Sequence, residues 1–163
     1  MTNGEAANSK RVFIIIIALF SAGVLFTTIF GFVVVRDVRA NARDADLYCR
    51  TAAWASIAYA CAHDGRYPTS DDELRTAAPL PSSITCQSSS DAWPATRDAA
   101  LNGQSPPSFD TILTHIKLHY SSDGALPPVV DANGMPTLLD TNSTIENWMR
   151  ASLAAHEGGL SDE

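Results

Sequence analysis

Basic residues are scarce. Eleven Lys+Arg stand against 18 Asp+Glu, for a formal net charge of −7. A nucleic-acid binder needs a cationic footprint to displace counterions from phosphate, so this balance argues against that class. Catalytic signatures are missing as well. The chain has no GxSxG elbow, phosphate-binding loop or dinucleotide fingerprint. The metalloprotease HExxH is ruled out at the one tempting site, because Ile116 follows His115. Cysteine is limited to three residues, Cys49, Cys61 and Cys86. Charge is absent altogether from Val12 to Val35, 24 consecutive residues. About 20 apolar residues span the hydrocarbon core of a bilayer, so a purely soluble protein is excluded.

That run is too long for a secretory signal, whose apolar region covers about 7–15 residues. Ala40-Asn41-Ala42 has the small-x-small form of a cleavage site, but Arg36, Asp37 and Arg39 stand between it and the run. An uncleaved anchor over 12–35 is therefore expected, after an N-terminal tail of residues 1–11. Gly23, Thr27 and Gly31 recur every four residues and give one helix face a small-residue groove that would allow close helix packing. Ordinary membrane-helix composition explains the same glycines. Lys and Arg counts near the two ends favour the C-terminal side inside. Long domains translocate largely regardless of charge, however, and 128 residues follow the helix with 9 basic and 17 acidic side chains. Together with the cysteines, this places the N-terminus in the cytoplasm and the head outside it.

Gly and Pro are also missing between Phe32 and His63. The membrane helix is thus expected to continue through residues 36–64, with Leu47, Trp54, Ile57, Ala58 and Cys61 on one apolar face. Asp64-Gly65 should end it. A small acidic head would occupy 65–163. Ser70 and Glu73 read as a capping box for a short helix through about Thr76. Residues 79–107 look loop-like, with a short strand around Ile84-Thr85-Cys86. Alternation from Thr114 to Tyr120 favours a strand, although Phe109, Ile112, Leu113 and Ile116 also suit a helix. Val129-Val130 leads to Asn133-Gly134, a hairpin signal, with extended structure resuming at Pro136-Thr137-Leu138-Leu139. Ser143 and Glu146 read as a second capping box, for a C-terminal helix burying Ile145, Trp148, Met149, Ser152 and Leu153. The fold class is α+β. An N-terminal transmembrane helix runs on into a long helix that packs a small antiparallel sheet, and a C-terminal helix follows.

Gly65-Arg66-Tyr67-Pro68-Thr69 and Asp131-Ala132-Asn133-Gly134-Met135-Pro136 give the chain a family likeness. With the apolar helix they resemble, in order and spacing, the type IV pilin-like proteins, most closely the major pseudopilins of type II secretion. The first motif is similar to the turn that ends the pseudopilin long helix, and the second to the turn that enters its sheet. The resemblance implies a pilin-like shape and a non-enzymatic structural role. The family's prepilin peptidase site is not present: Lys10-Arg11-Val12 precedes Phe13, and Ile17 stands where the family has Glu. An N-terminus left intact by that peptidase is therefore expected. The family's acidic C-terminal calcium loop has no counterpart.

Residue chemistry adds little. His115 and His119 would share a strand face or lie one helical turn apart, and could begin a zinc site. No third ligand lies nearby, so a solvated polar face explains them better. Asp71, Asp72 and Glu73 complement a helix dipole. Trp54 and Trp148 read as core. Asn142-Ser143-Thr144 fits a glycosylation sequon but also caps a helix. Cys49 and Cys61 are 12 residues apart, roughly 18 Å along a helix, beyond the roughly 7 Å between Cα atoms that a disulfide allows. Cys61 falls on the head-facing side, so Cys61–Cys86 is the expected bond, with Cys49 free.

The expected protein is thus a non-enzymatic, cofactor-free, single-pass subunit of a bacterial inner membrane. It would assemble with other envelope proteins or with itself and not with nucleic acid. The alternative is an accessory subunit of a larger integral membrane complex. A membrane-tethered enzyme or metal binder ranks below both.

Overall fold

The computed structural model describes residues 3–84 and 93–158. Its architecture is α+β: a long N-terminal helix, a two-stranded antiparallel sheet and a C-terminal helix. Helix α1 covers Asn3–Ala62, followed by α2 (Asp71–Arg75), α3 (Arg97–Ala100) and α4 (Phe109–His115). Strands β1 (Lys117–His119) and β2 (Val129–Asp131) precede α5 (Thr141–Gly158).

The chain forms two units, residues 1–40 and 41–163. In the first, every residue from Val12 to Ala40 is exposed. Thr27 and Thr28 turn their hydroxyls back onto Gly23 and Val24 carbonyls one turn earlier, at 2.6 and 2.8 Å. This removes a polar group from an apolar surface without any partner outside the helix. Phe26 and Phe30 stack with ring centroids 6.2 Å apart.

The second unit is built around the last part of α1. Residues 51–57 are buried without exception, so two helical turns are enclosed on all sides. Alanine makes this feasible. Ala52, Ala53 and Ala55 are fully buried, and their small side chains let neighbouring elements approach the helix closely. Around them pack Trp54, Ile57, Leu74, Leu101, Ile112 and Trp148. The helix ends as expected. Asp64 and Gly65 take positive φ values of 52° and 85°, and the Gly65 amide donates to the Ala60 carbonyl at 2.9 Å.

Several local elements differ from the sequence reading. Residues Thr114 and His115 are helical, and the strand is confined to Lys117–His119. The Ser108 hydroxyl accepts from the Thr111 amide and caps α4, while buried Ile112 and Ile116 lie one turn apart. Helical burial therefore outweighs alternation until Ile116. The Asn133-Gly134 turn has φ values of 53° and 79°, yet no strand follows it, and Pro136–Leu139 is irregular. The pairing partner of β2 is instead β1, in the register Lys117↔Asp131, Leu118↔Val130 and His119↔Val129. Helix α5 begins at Thr141, two residues before Ser143, whose hydroxyl donates back to the Asp140 carbonyl at 3.0 Å. Helix α3 lies in the stretch whose composition suggests loop; its cap is Thr96, which accepts from the Ala99 amide. Ile84 lies in no strand, and Thr85 and Cys86 fall outside the described residues.

Candidate functional site

Among the described side chains of the first unit, Val12 to Ala40, none carries obvious chemistry; what this stretch offers is surface. At 1.5 Å per residue, Val12–Val35 is about 36 Å long, enough for a hydrocarbon core of about 30 Å. The helix is long and apolar enough to cross a membrane, with none of its most apolar window buried. Gly23 and Gly31 have open space where a side chain would stand. The Gly23, Thr27 and Gly31 face is therefore accessible, and Thr27 has already spent its hydroxyl within the helix.

In the second unit a buried polar clasp ties α5 to α1. Arg50 donates through Nε to both Asp46 carboxylate oxygens at 2.9 Å. Thr141, fully buried at the start of α5, donates its hydroxyl to Asp46 Oδ1 at 2.7 Å. The guanidinium also sits 5.4 Å from the Trp148 ring centre, over its face. One turn beyond Trp148 along α5, Ser152 accepts from the Tyr67 hydroxyl at 2.8 Å in a buried contact. Burial raises the Tyr67 pKa, and the Ser152 bond offsets part of that. Beside the clasp, Cys49 is a free, buried thiol. Burial first, then the negative charges of Asp46 and Asp131, push its pKa up to about 11.

The turn after α1 is held from two sides. Tyr67 donates its amide to the Gly124 carbonyl at 2.8 Å, and Gly124 has φ +70°. Glu73 accepts from the Thr69 amide at 2.7 Å and the Thr69 hydroxyl at 2.9 Å, which holds its carboxyl below the usual range. Ser70 caps α2. Tyr120 donates to Asp71 at 2.7 Å, and burial followed by that bond raises its pKa. These carboxylates are occupied in holding turns and helix starts.

A groove of about 650 Å³ lies between residues 126–130 and α5, with Ile145, Met149 and Leu153 among its apolar lining. Its polar residues are Asn142, Glu146 and Arg150. A second hollow of about 480 Å³ adjoins it across Val129 and Val130 and reaches Asp131, Met135 and Thr137. Sequence reasoning missed this groove. Leu126-Pro127-Pro128 carried no periodic signal, and only the register of β2 against β1 shows which edge of β2 is unpaired.

Other residues singled out from the sequence separate in space or join the core. Trp54 is buried and donates to the Pro81 carbonyl at 3.3 Å; Trp148 is buried over Arg50. His115 belongs to α4 and lies against Tyr48 with the two rings tilted by 36° and their centroids 5.1 Å apart. His119 belongs to β1 and lies 3.8 Å from Asp131. Among the described residues, no group of three His, Cys, Asp or Glu side chains could hold a metal ion. Asn142 and Ser143 are exposed within the first turn of α5. Cys61 is half-buried and disulfide-bonded, while Cys86 lies outside the described residues.

Comparison with known proteins finds no matching family model, no matching curated protein and no matching solved structure.

Proposed function

We propose that this chain is a non-enzymatic, single-pass structural or assembly subunit of a bacterial inner membrane, with its N-terminus cytoplasmic and a pilin-like head outside. The observation that carries this reading is that one helix has two distinct surfaces. Over Val12–Val35 it is apolar and exposed, and over 51–57 it is enclosed. Leaving 24 uncharged residues in water would be costly at about 25 cal/mol per Å² of apolar surface. A bilayer or neighbouring helices would remove that cost. The clasp and the small-residue core suit a head that holds its shape.

The accessory-subunit reading draws on a separate observation. Ile17 lies where a pilin-like assembly would use an acid, while the Gly23, Thr27 and Gly31 face is open for lateral packing. The Cys61–Cys86 bond remains part of this proposal, and non-reducing peptide mapping is its test.

Cross-linking in native membranes, followed by sizing in mild detergent, separates the two readings. A ladder of multiples of the chain supports assembly. One heteromeric band supports the accessory role. Release of the protein by alkaline carbonate sinks both. Protease shaving of spheroplasts checks orientation, since a head protected until lysis reverses it.

A further inference from the structure

We infer that the turn at residues 138–141 is a lipid-contacting foot of the head: Leu139, with Leu138 beside it, inserts into the surface of the bilayer that the chain's own helix enters. The inference deepens the reading of residues 12–35 as a membrane anchor by naming where the head meets that membrane, and rests on it.

Geometry puts this turn at one end of the head. Thr141, the first residue of α5, donates to Asp46. Trp148 then lies against Arg50, and Ser152 accepts from Tyr67, beyond the end of α1. Helix α5 therefore advances along α1 in the direction of the chain, and the turn before it lies where α1 enters the head. Chain length alone ties that end to the apolar run. Ala42 is already buried, so the head covers α1 from there, seven residues after Val35. Seven helical residues are about 10 Å, and the headgroup layer outside the hydrocarbon takes up about 5–7 Å of that. With residues 12–35 in the hydrocarbon, this edge of the head stays beside the headgroups whatever the angle between the two units.

The side chains define the occupant. The Thr141 amide donates to the Leu138 carbonyl at 3.2 Å, closing a four-residue turn with Leu139 and Asp140 at its tip. Leu139 is fully exposed there and Leu138 is 39% exposed. Turn tips favour Gly, Pro, Asn, Asp and Ser, so the backbone does not call for leucine. Among the described residues of the head, the other exposed large apolar side chains are Leu126 and Val129, which border the groove. Leu138 and Leu139 line neither hollow. Adjacent apolar side chains held out on a turn gain by leaving water, and the apolar medium kept beside every copy of the chain is the bilayer. Exposed Arg43, Asp44 and Asp140 leave the surroundings mixed in sign. The contact therefore depends on apolar burial and not on charge, and zwitterionic lipid is enough for it.

The test uses the full chain in phosphatidylcholine nanodiscs, in a C49A background, with the fluorescent dye NBD on one introduced cysteine. Lipid carrying a 5-doxyl quencher should quench the dye at L139C and at D140C at least twofold. It should leave the dye at D72C unquenched, since Asp72 is 91% exposed on α2, past the other end of α1. L138N/L139N, at exposed positions outside the core, should return D140C quenching to the D72C level with an unchanged unfolding midpoint. An unquenched dye at L139C, equal quenching at D72C, or D140C quenching that survives L138N/L139N overturns the inference. So does a dye response that needs two copies in one disc, which would make a second copy the occupant. A dye at L25C, read with 12-doxyl lipid, tells the two levels apart. Quenching there without quenching at L139C overturns the foot and keeps the anchor; quenching at neither removes both.

Discussion

Replacing Asp46 by Ala should unfold the head far more readily than any surface change. The Asp46 and Arg50 side chains are only 4% and 10% exposed, so their pair belongs with buried ion pairs. Removing one partner leaves an uncompensated charge in the interior, which costs about 3–5 kcal/mol. D46A also strands the Thr141 hydroxyl, whose acceptor is Asp46. At about 4 °C per kcal/mol for a domain of this size, the midpoint should fall by about 12 °C or more. All three tryptophans, Trp54, Trp93 and Trp148, are buried in the head and none lies in the apolar helix, so their fluorescence reports head unfolding alone. The control is E146Q. Its partner Arg150 is 71% exposed and Glu146 is 69% exposed, so its effect should stay within about 0.5 kcal/mol. The decisive comparison is the triple variant D46L/R50M/T141V, which removes all three polar partners together. It should be more stable than D46A, because no buried charge or hydroxyl is left alone. A D46A loss below about 1 kcal/mol, or a triple variant at least as damaged as D46A, would refute the reasoning.

Three further outcomes follow from the geometry. G124A should cost more than G103A in the same fluorescence assay. A Cβ at Gly124 would stand 2.6 Å from the Tyr67 carbonyl oxygen, whereas at Gly103 it meets nothing within 4 Å. Both carry the left-handed cost of about 1–2 kcal/mol, so only the clash separates them. The Cys49 thiol has a higher pKa folded than unfolded, so its contribution to stability is complete below about pH 9 and is lost as pH rises through about 11. Urea midpoints should therefore fall across that window, and C49A should flatten that part of the profile. L25K places a charge midway along the apolar run, at about 2.5–3.5 kcal/mol for insertion. Carbonate-resistant membrane retention should drop sharply; full retention would show that this helix does not span the bilayer.

The sequence was most legible where one physical rule acted alone. The uncharged run announced its length, Asp64-Gly65 announced a helix end, and Ser70 with Glu73 announced a helix start. Legibility failed where local signals competed. Thr114–Tyr120 satisfied both periods, and a cap at Ser108 decided the matter for its first half. Asn133-Gly134 formed its left-handed turn without a hairpin, because the strand pairing with β2 comes before it in the chain. The clasp was invisible for another reason. Asp46 and Arg50 are one helical turn apart and read as an ordinary surface pair, and nothing local marks Thr141 as their third member. The groove likewise depends on which edge of β2 is taken, a fact of register and not of composition.

The clasp also sets an order of events as the chain is made. Asp46 and Thr141 are 95 residues apart, and Tyr67 and Ser152 are 85 apart. Each pair must wait for α5, the last element described. Until then the alanine-lined turns of α1 have nothing around them, and Asp46 and Arg50 have only each other and water. Such long-range closure is slow compared with local helix formation. The N-terminal helix is therefore complete long before the head can close on its last turns, and the nascent chain has an interval in which its apolar run is exposed with no folded head attached.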